Sequence, residues 1–257
     1  MKRAVTPPAS SSGASTRDPN VPRHVAIVMD GNGRWARKRF MPRIFGHKHG
    51  VDALVSTIQA CANRGVEHLT VFAFSSENWK RPEDEVSGLM GLVLSAMTRY
   101  LTKIAGDGVR VRIIGDRAQV SEKLRQAWQH AEDSTCHNSK IQLSVAFNYG
   151  GRWDVVQACR QAIAAGVRSD ELDEATLNRF MALSYAPDPD LFIRTGGEIR
   201  ISNFLLWQVA YSELVFTDCL WPEFGTDELD SALAQYARRE RRFGAVFDAA
   251  ELVASGE

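Results

Sequence analysis

Short runs of apolar, β-branched residues alternate along the chain with longer stretches in which apolar residues recur every three or four positions. The short runs predict strands at 24–29, 69–74, 109–114, 141–147, 191–193 and 214–216. The longer stretches have the period of amphipathic helices. Strands that alternate with helices build a mostly parallel sheet covered on both faces. The pattern therefore predicts a single-domain α/β fold with six strands.

Helices are predicted between most of the strands. Val51 and Ile58 lie on one face of the first helix, and Gly65 follows its end. The longest helical stretch, 86–104, has a broad apolar surface with small residues between the large ones. Core packing explains most of this surface, although some of its side chains could line a cleft for an apolar ligand. Thr226 is predicted as the N-cap of the last helix.

Composition narrows the class of protein. The 257 residues are 44% hydrophobic and 24% charged, which is ordinary for a globular chain and excludes wholesale disorder. The 31 basic and 31 acidic side chains cancel, so the chain lacks the net positive charge of a general nucleic-acid binder. Residues 1–20 are rich in Ser, Pro and Ala and predict a disordered tail, followed by one domain at 21–250.

Three further features bear on the location of the protein. The four cysteines are scattered without a CxxC pair, which favours reduced thiols in a cytoplasmic protein over disulfides or a zinc site. We expect no transmembrane helix, because no stretch approaches the roughly 18 apolar residues of a membrane span. The N-terminus has no apolar core of the kind found in secretory signals.

Polar and glycine-rich segments follow each of the first five predicted strands. They are residues 30–35, 75–81, 115–116, 148–152 and 194–202. In open α/β sheets, ligands bind at the carboxyl ends of the strands. Any one of these segments could be a simple turn that needs glycine. Five of them in corresponding positions favour a binding site at one edge of the sheet.

The residues of these segments suit phosphate chemistry. The loop 30–34, Asp-Gly-Asn-Gly-Arg, offers backbone N–H groups and a guanidinium to an anion. Further cationic or forked donors are Arg34, Arg43, His47, Arg81, Arg194 and Arg200. This is more positive charge than one monophosphate requires, and two diphosphates fit better. Asp30 among them is predicted as a Mg²⁺ ligand, and the alternative is a simple ion pair with Arg34.

Other polar and aromatic residues could serve either the fold or a binding site. Glu213 could be a charge at a strand edge, and Asn78 could stabilise a turn through its side chain. Trp35 and Trp79 lie in polar segments and are predicted to form the apolar wall of a pocket. Phosphate-binding loops beside a broad apolar helix suggest a substrate with a diphosphate head and a hydrocarbon tail.

Several motifs, in order, resemble those of the cis-prenyltransferases, and most closely the bacterial undecaprenyl diphosphate synthases. The matching segments are 24–35, 46–47, 74–79 with 81–82, 148–154, 193–198, 200–203, 207, 213, 221–222 and 238–244. The resemblance spans nearly all of the chain from residue 23 to 244. It implies a Mg²⁺-dependent transferase that condenses isopentenyl diphosphate with an allylic diphosphate such as farnesyl diphosphate. The product would be a long cis-polyprenyl diphosphate, namely undecaprenyl diphosphate, the lipid-carrier precursor of cell-wall polysaccharides.

The resemblance also implies roles for individual residues. Asp30 and Asn78 correspond to catalytic residues, and Asp30 and Glu213 to metal ligands. Because an amide is a poor base, Asn78 is expected to orient a diphosphate oxygen that takes the proton. The allylic diphosphate would contact Gly31, Asn32, Gly33, Arg34, Arg43 and His47. Isopentenyl diphosphate would contact Arg194, Arg200 and Ser202. Further substrate contacts are Trp35, Ser75, Ser76, Glu77, Trp79, Arg81 and Ile201.

A growing hydrocarbon chain needs an apolar tunnel, since burying each five-carbon unit contributes about 4 kcal/mol. The helix at 86–104 could help to form it, with Ala73, Ile141 and Phe147 on strands that face that region. The family is homodimeric, and Arg242 and Gly244 correspond to a C-terminal motif near the partner's active site. Release of the product would bring peripheral contact with a membrane.

Other functions fit the sequence less well. A phosphatase with an aspartate nucleophile usually has a second Asp where this chain has Asn32. Non-catalytic subunits of heteromeric prenyltransferases tend to lose the Asp that is present here as Asp30. Trans-type prenyl synthases use aspartate-rich motifs, and this chain has no Asp-Asp pair. A nucleic-acid binder would have the arginine cluster without a metal-binding carboxylate.

Overall fold

A computed structural model describes residues 18–239. The strands are β1 His24–Val28, β2 His68–Ser75, β3 Val109–Ile114, β4 Ile141–Tyr149, β5 Leu191–Arg194 and β6 Glu213–Phe216. The helices are α1 Asn32–Lys38, α2 Arg43–Asn63, α3 Glu83–Gly106, α4 Glu122–Thr135, α5 Gly151–Ala164, α6 Glu174–Asn178 and α7 Thr226–Ala237. Short 3₁₀ helices lie at Ser76–Lys80 and Trp221–Glu223.

The six strands form one sheet in the order β3-β4-β2-β1-β5-β6, and all neighbouring pairs are parallel. The predicted α/β class and the number of strands are confirmed. Every residue of β1 is buried, because this strand lies inside the sheet and both of its faces are covered. The carboxyl ends of β1, β2, β4 and β5 therefore lie next to one another.

Two apolar clusters cover the two faces of the sheet. Val25 and Ile27 of β1 pack on one face, with α2, α3, α4 and α7. Ala26 and Val28 point to the other face, where they meet α5 and the segment 183–209. This alternation follows from the two-residue period of a strand. Helices on both faces were predicted, and this too is confirmed.

Two local features differ from the sequence prediction. The last helix starts at Thr226, but its N-cap is Gly225, whose N–H donates to Glu228 Oε2 at 2.8 Å. The Glu228 carboxylate thus accepts the N–H of the N-cap residue, and no side-chain hydroxyl caps the helix. The short helix α6 was not predicted. Its signal is Asp173, whose side chain accepts a hydrogen bond from the Thr176 N–H at 2.7 Å.

Both ends of the chain fall outside the described residues. Of the predicted disordered segment 1–20, only 18–20 is described, and it belongs to a turn. Arg242 and Gly244, predicted to reach a partner's site, lie beyond residue 239. Within residues 18–239, no helix is long and apolar enough to cross a membrane. All four cysteines are free thiols.

Candidate active site

Contacts between loops bring the five polar segments together at the carboxyl edge of the sheet. Asp30 after β1 meets Arg194 at the end of β5, and Glu77 after β2 accepts a hydrogen bond from Asn203 at 2.8 Å. The loop after β3 joins β4 through Asn148, whose Nδ2 donates to the Asp116 carbonyl at 2.8 Å. The predicted convergence is confirmed.

Asp30 lies between two arginines. Its Oδ2 accepts a hydrogen bond from Arg194 Nη2 at 3.0 Å, and its Oδ1 lies 3.1 Å from Arg34 Nη2. The Gly31 N–H also donates to Oδ1, at 2.6 Å. Burial alone would raise the pKa of Asp30, but the hydrogen bond from Arg194 and the charge of Arg34 outweigh it and hold the pKa below its usual value. The carboxylate is therefore ionised near neutral pH, and its pairing with Arg34 is real.

Arg194 organises the loop that follows β5. Its Nη1 donates to the Arg200 carbonyl and to Ser202 Oγ, both at 2.6 Å. Ser202, Asn203 and Leu205 have positive φ angles of 50°, 62° and 47°, which non-glycine residues rarely adopt. Backbone strain of this kind persists where the surrounding contacts over-determine it, as at binding sites. The Arg200 side chain turns outward to Glu198, at 2.6 Å.

A second cationic group lies at the start of α2 and α3. Glu85, which is largely buried, bridges Arg43 at 3.3 Å and Arg81 at 2.9 Å. His47 lies beside them. Burial lowers its pKa to about 4, and the positive charge of Arg81 acts in the same direction. His47 is consequently neutral at pH 7 in this state and can donate or accept a hydrogen bond.

Two glycines allow backbone to approach the arginines closely. A Cβ on Gly196 would lie 2.6 Å from Arg34 Nη2, and the residue has φ of +87°. The Arg34 Nη1 donates to the Gly196 carbonyl at 2.5 Å. A Cβ on Gly33 would lie 2.9 Å from Arg43 Nε. Glycine is thus required at Gly196 by its positive φ and by the Asp30 backbone, 3.2 Å from a Cβ, whereas at Gly33 a side chain would displace only the end of the Arg43 side chain.

Two compensating irregularities shape the ends of β2 and β4. Between Phe72 and Phe74, β2 has one extra residue, Ala73, and β4 has its own extra residue, Asn148, directly afterwards. Asn148 is buried with φ of +49°, and its Oδ1 accepts a hydrogen bond from Trp79 Nε1 at 2.7 Å. Bulges of this kind redirect side chains near functional sites. Here they turn Ala73 toward open space and fix Trp79.

The 3₁₀ helix after β2 carries several predicted site residues. Asn78 Oδ1 accepts a hydrogen bond from the Ser75 N–H at 3.1 Å, so its side chain does stabilise the turn. A Cβ on Gly150 would lie 2.8 Å from Ser76 Oγ. Burial would raise the pKa of Glu77, but the hydrogen bond from Asn203 outweighs it and the pKa is lowered.

One cavity of about 400 Å³ extends from the polar edge into the apolar interior. The polar side chains at its entrance are Asp30, Asn32, His47, Ser75, Asn78, Arg81, Arg194 and Ser202. Its apolar part follows α3 from Leu89 to Ile104, about 22 Å at 1.5 Å per residue. Ala73 and Phe147 also line it, as expected. Ile141 does not line it and lies in the core.

Comparisons with known proteins agree with this geometry. Residues 28–244 match the family model described as "Putative undecaprenyl diphosphate synthase". The chain belongs to this prenyltransferase family. An isoprenyl transferase of Neisseria gonorrhoeae is 55% identical over 224 residues, covering 87% of this chain and 90% of the relative. A ditrans,polycis-undecaprenyl-diphosphate synthase ((2E,6E)-farnesyl-diphosphate specific) of Xanthomonas axonopodis pv. citri is 54% identical over 87% of this chain and 89% of its own length.

A solved structure matches the fold as well. It is lavandulyl diphosphate synthase from Lavandula x intermedia in complex with dimethylallyl diphosphate. The TM-score is 0.85 at 36% sequence identity, and the match covers 88% of this chain and all of the other. The chain is therefore an enzyme of the prenyltransferase class.

Eleven predicted site residues of this prenyltransferase do not line the cavity. They are Gly31, Gly33, Arg34, Trp35, Arg43, Ser76, Glu77, Trp79, Arg200, Ile201 and Glu213. Trp35 and Trp79 are not among its lining residues, because Trp35 packs with Ala36 and Leu220 and Trp79 packs edge-on against Phe74. They act as supports behind the loops.

Glu213 is separated from Asp30 within one chain. It pairs in register with Leu191, three residues and about 10 Å before Arg194 along the strand direction. Its Oε2 accepts a hydrogen bond from Arg239 Nη1 at 2.6 Å. The structure does not bring this predicted second metal ligand to Asp30.

Three residues of this prenyltransferase site were missed from the sequence. Glu85 could have been found from its position four residues after Arg81 at the start of a helix, where such pairs form. Asn148 begins the polar segment after β4, and Asn203 directly follows the polar segment after β5. The roles of both asparagines depend on contacts with loops that are distant in sequence. Asn203 Oδ1 accepts from the Arg152 N–H at 3.0 Å, so it joins the loops after β2, β4 and β5.

Proposed function

We propose that this prenyltransferase condenses isopentenyl diphosphate repeatedly with an allylic diphosphate, with farnesyl diphosphate as the first acceptor and undecaprenyl diphosphate as the product. The observation that supports this most is a continuous cavity, which joins a polar entrance lined by Asp30, Arg81 and Arg194 to an apolar section along α3. A diphosphate with a hydrocarbon tail matches both parts. The relatives' names point to the same substrate and product.

In each condensation, the allylic carbon–oxygen bond breaks and the diphosphate leaves with the electron pair. The double bond of isopentenyl diphosphate attacks the allylic carbon, and loss of a proton forms the new double bond. Arg34, Arg43 and Arg81 would stabilise the charge that develops on the leaving diphosphate. Apolar side chains of the cavity would exclude water from the allylic cation.

The two diphosphates would bind on opposite sides of Asp30. The side that contains Arg34, Arg43 and His47, with Gly31 and Gly33, suits the allylic diphosphate, because His47 lines the cavity next to Val51 and Leu54 of its apolar section. The side that contains Arg194 and Ser202 suits isopentenyl diphosphate. Arg194 Nε is buried and has no hydrogen-bond partner within residues 18–239, which leaves a donor for a phosphate oxygen. Arg200 would rotate from Glu198 to join it.

Mg²⁺ fits the donor set at Asp30. The carboxylate is ionised and lines the cavity, and Mg²⁺ is typically held by one or two carboxylates together with substrate phosphates. Within residues 18–239, no group of three or more His, Cys, Asp or Glu side chains could hold a metal by itself. We therefore assign the metal to Asp30 and a diphosphate jointly. Bound there, Mg²⁺ would neutralise charge on the departing diphosphate.

Asn78 would act by position rather than as a base. Its Oδ1 holds the Ser75 N–H, and its side chain lines the cavity. A neutral amide does not take a proton at physiological pH, so a diphosphate oxygen that Asn78 orients is the better acceptor. Ser75, Ser76 and Glu77 would fix this turn against the loop after β5. Ile201 would support the isopentenyl side from the adjacent apolar cluster.

The remaining features of the proposal concern the whole protein. The apolar section would serve as a tunnel whose depth sets product length. A homodimer would place Arg242 and Gly244 near the partner's active site, and the Glu213 carboxylate would act as a metal ligand in that assembly. Residues 21–250 would form the catalytic domain of a cytoplasmic enzyme.

The test is a reaction of the purified chain with Mg²⁺, labelled isopentenyl diphosphate and farnesyl diphosphate, with products sized by mass spectrometry. We expect a ladder that ends at eleven isoprene units. A shorter end point would keep the reaction and contradict the product. Absence of extension with any allylic diphosphate, despite saturable binding, would contradict the reaction and favour a non-catalytic subunit.

A further inference from the structure

The segment 37–45, Arg-Lys-Arg-Phe-Met-Pro-Arg-Ile-Phe, joins α1 to α2 and is exposed at every position. It contains four basic residues and no acidic one, although the whole chain has no net charge. It also contains Phe40, Met41, Ile44 and Phe45, all among the chain's exposed large apolar residues. Single exposed apolar residues are ordinary, but a contiguous group marks an interaction surface. We call residues 37–45 the basic–aromatic segment.

Phe40 is the most informative residue of the basic–aromatic segment. It is 99% exposed and has φ of +56°. It follows the end of α1, where the Phe40 N–H donates to the Arg37 carbonyl and the Met41 N–H to the Ala36 carbonyl. This pair of hydrogen bonds is the Schellman motif, whose left-handed residue is usually glycine or asparagine. A phenylalanine here gains no burial and adopts an unfavourable backbone conformation, so folding does not account for it.

The charges of the basic–aromatic segment are partly unpaired. Arg39 pairs with Glu223 and Arg43 with Glu85. Arg37 and Lys38 are exposed and form no ion pair within residues 18–239. Basic side chains around exposed aromatic and aliphatic residues are the features by which a protein surface binds an anionic membrane.

The basic–aromatic segment lies beside the entrance of the cavity. Ile44 packs next to Gly88 near the start of α3, and His47, two residues after the segment, lines the cavity. We propose that the basic–aromatic segment docks this enzyme on an anionic phospholipid surface. Phe40 and Met41 insert among the acyl chains, while Arg37 and Lys38 contact the headgroups. Under the proposed function, this places the cavity entrance against the membrane that receives the product.

The experiment measures co-flotation of the full chain with vesicles, without substrate, so that it does not depend on the proposed reaction. Vesicles of phosphatidylcholine with phosphatidylglycerol are compared with phosphatidylcholine alone. We expect binding to the anionic vesicles, weakened by salt. Phe40→Asn should reduce this binding roughly tenfold, with an unchanged or higher Tm, because asparagine tolerates a positive φ. Arg37→Gln with Lys38→Gln should reduce it similarly and remove much of the salt dependence.

The matched control is Ile163→Asn. Ile163 is 71% exposed on α5, on the opposite face of the sheet from α2 and α3, and belongs to no such cluster. It should bind vesicles as the unmodified chain does. Unchanged vesicle binding by Phe40→Asn would overturn the proposal, as would an equal loss in the control. A change of oligomeric state on Phe40→Asn would also overturn it and assign the surface to a second copy of the chain.

Discussion

The entrance and the apolar section of the cavity are built differently. At the entrance, Asp30 and Arg194 hold one another and the adjacent loops through hydrogen bonds of 2.6–3.0 Å. Glycines there leave no space for a Cβ, and Ser202 to Leu205 contain strained residues. Along α3, the lining side chains such as Leu92 and Met97 are only half-buried and touch open space.

This difference separates two properties of the enzyme. Rate depends on charges placed within tenths of an ångström, so it belongs to the entrance. Product length depends on how much apolar volume is available, which tolerates variation of shape because burial of hydrocarbon is non-directional. Changes at the entrance should therefore alter turnover, and changes along the cavity should alter chain length at nearly constant turnover.

The largest effect is expected at Asp30. Asp30→Asn keeps the size of the side chain and removes its charge, leaving Arg34 and Arg194 without their shared carboxylate. We expect kcat/KM to fall by about 10³-fold, the scale for loss of a preorganised charge, while binding of the allylic diphosphate persists. Steady-state kinetics and equilibrium binding measure the two quantities separately.

Asp170→Asn is the control for this prediction. Asp170 is an exposed carboxylate paired with Arg168, remote from the cavity. It should have near-normal kinetics. If Asp30→Asn were as active as this control, the entrance would not be the reacting centre and the assignment would be wrong.

A smaller loss of rate is expected at Asn148. Asn148→Gly retains the positive φ but removes the acceptor for Trp79 Nε1 and the donor to Asp116. The loop that carries Asn78 and Arg81 would lose the hydrogen bond that holds it. We expect activity to fall roughly 10- to 100-fold and the free energy of unfolding to fall by about 2 kcal/mol.

Trp79→Phe provides the partner for a double-mutant cycle. It removes the indole N–H that donates to Asn148 Oδ1, together with part of the ring, and keeps an aromatic side chain against Phe74. If the two residues act through one hydrogen bond, their effects on activity will not add. Additive losses would mean that Asn148 acts through Asp116 alone.

The apolar section is tested at Ala73. Ala73→Leu adds three carbon atoms at the bulge of β2, where the side chain faces the cavity. We expect shorter final products, measured by mass spectrometry, with the rate of the first condensation changed only about two-fold. Ile141→Leu is the control, because Ile141 is buried but does not line the cavity. This variant should leave product length unchanged. A loss of turnover without a change in length would break the separation of the two properties.

The local pattern of the sequence was sufficient to predict the strands and the polar edge of the sheet. Hydrophobic runs located all six strands, and polar segments after the strands located the edge where Asp30 and Arg194 meet. The motif resemblance identified the family. Glu213 begins β6 and therefore lies at the amino edge of the parallel sheet within one chain. Its role as a metal ligand stays a prediction for the assembled protein.

The remaining features depend on contacts between distant segments. The bulges at Ala73 and Asn148 arise from the pairing of β2 with β4, and a single strand's sequence does not reveal its partner's register. Glu85 gains its role because α2 and α3 bring Arg43 and Arg81 to it. Trp35 and Trp79 are predicted to form the apolar wall of a pocket, but neither lines the cavity, because packing decides whether an indole faces a cavity or supports a loop.

The smallest expected effect concerns pH and compares a histidine at the entrance with one inside the sheet. Burial lowers the pKa of His47 to about 4 and that of His24 to about 3, from 6.5. Below pH 6.5 the unfolded chain binds protons that the folded chain excludes. The free energy of unfolding should therefore fall as pH decreases from 6.5 toward 4, by at most about 1.4 kcal/mol per pH unit for each histidine.

Denaturant unfolding at pH 7, 6 and 5 measures how the free energy of unfolding changes with pH. His47→Gln should remove the part of this change that His47 contributes, which we call the His47 share. The remaining change belongs chiefly to His24, whose Nε2 lies 2.7 Å from Thr70 Oγ1 and whose Nδ1 lies 2.6 Å from the Pro187 carbonyl. A saturating diphosphate should reduce the His47 share, because an anion at the entrance favours the protonated ring. The His24 share should not respond. A diphosphate that altered both equally would show that the entrance is not the anion site.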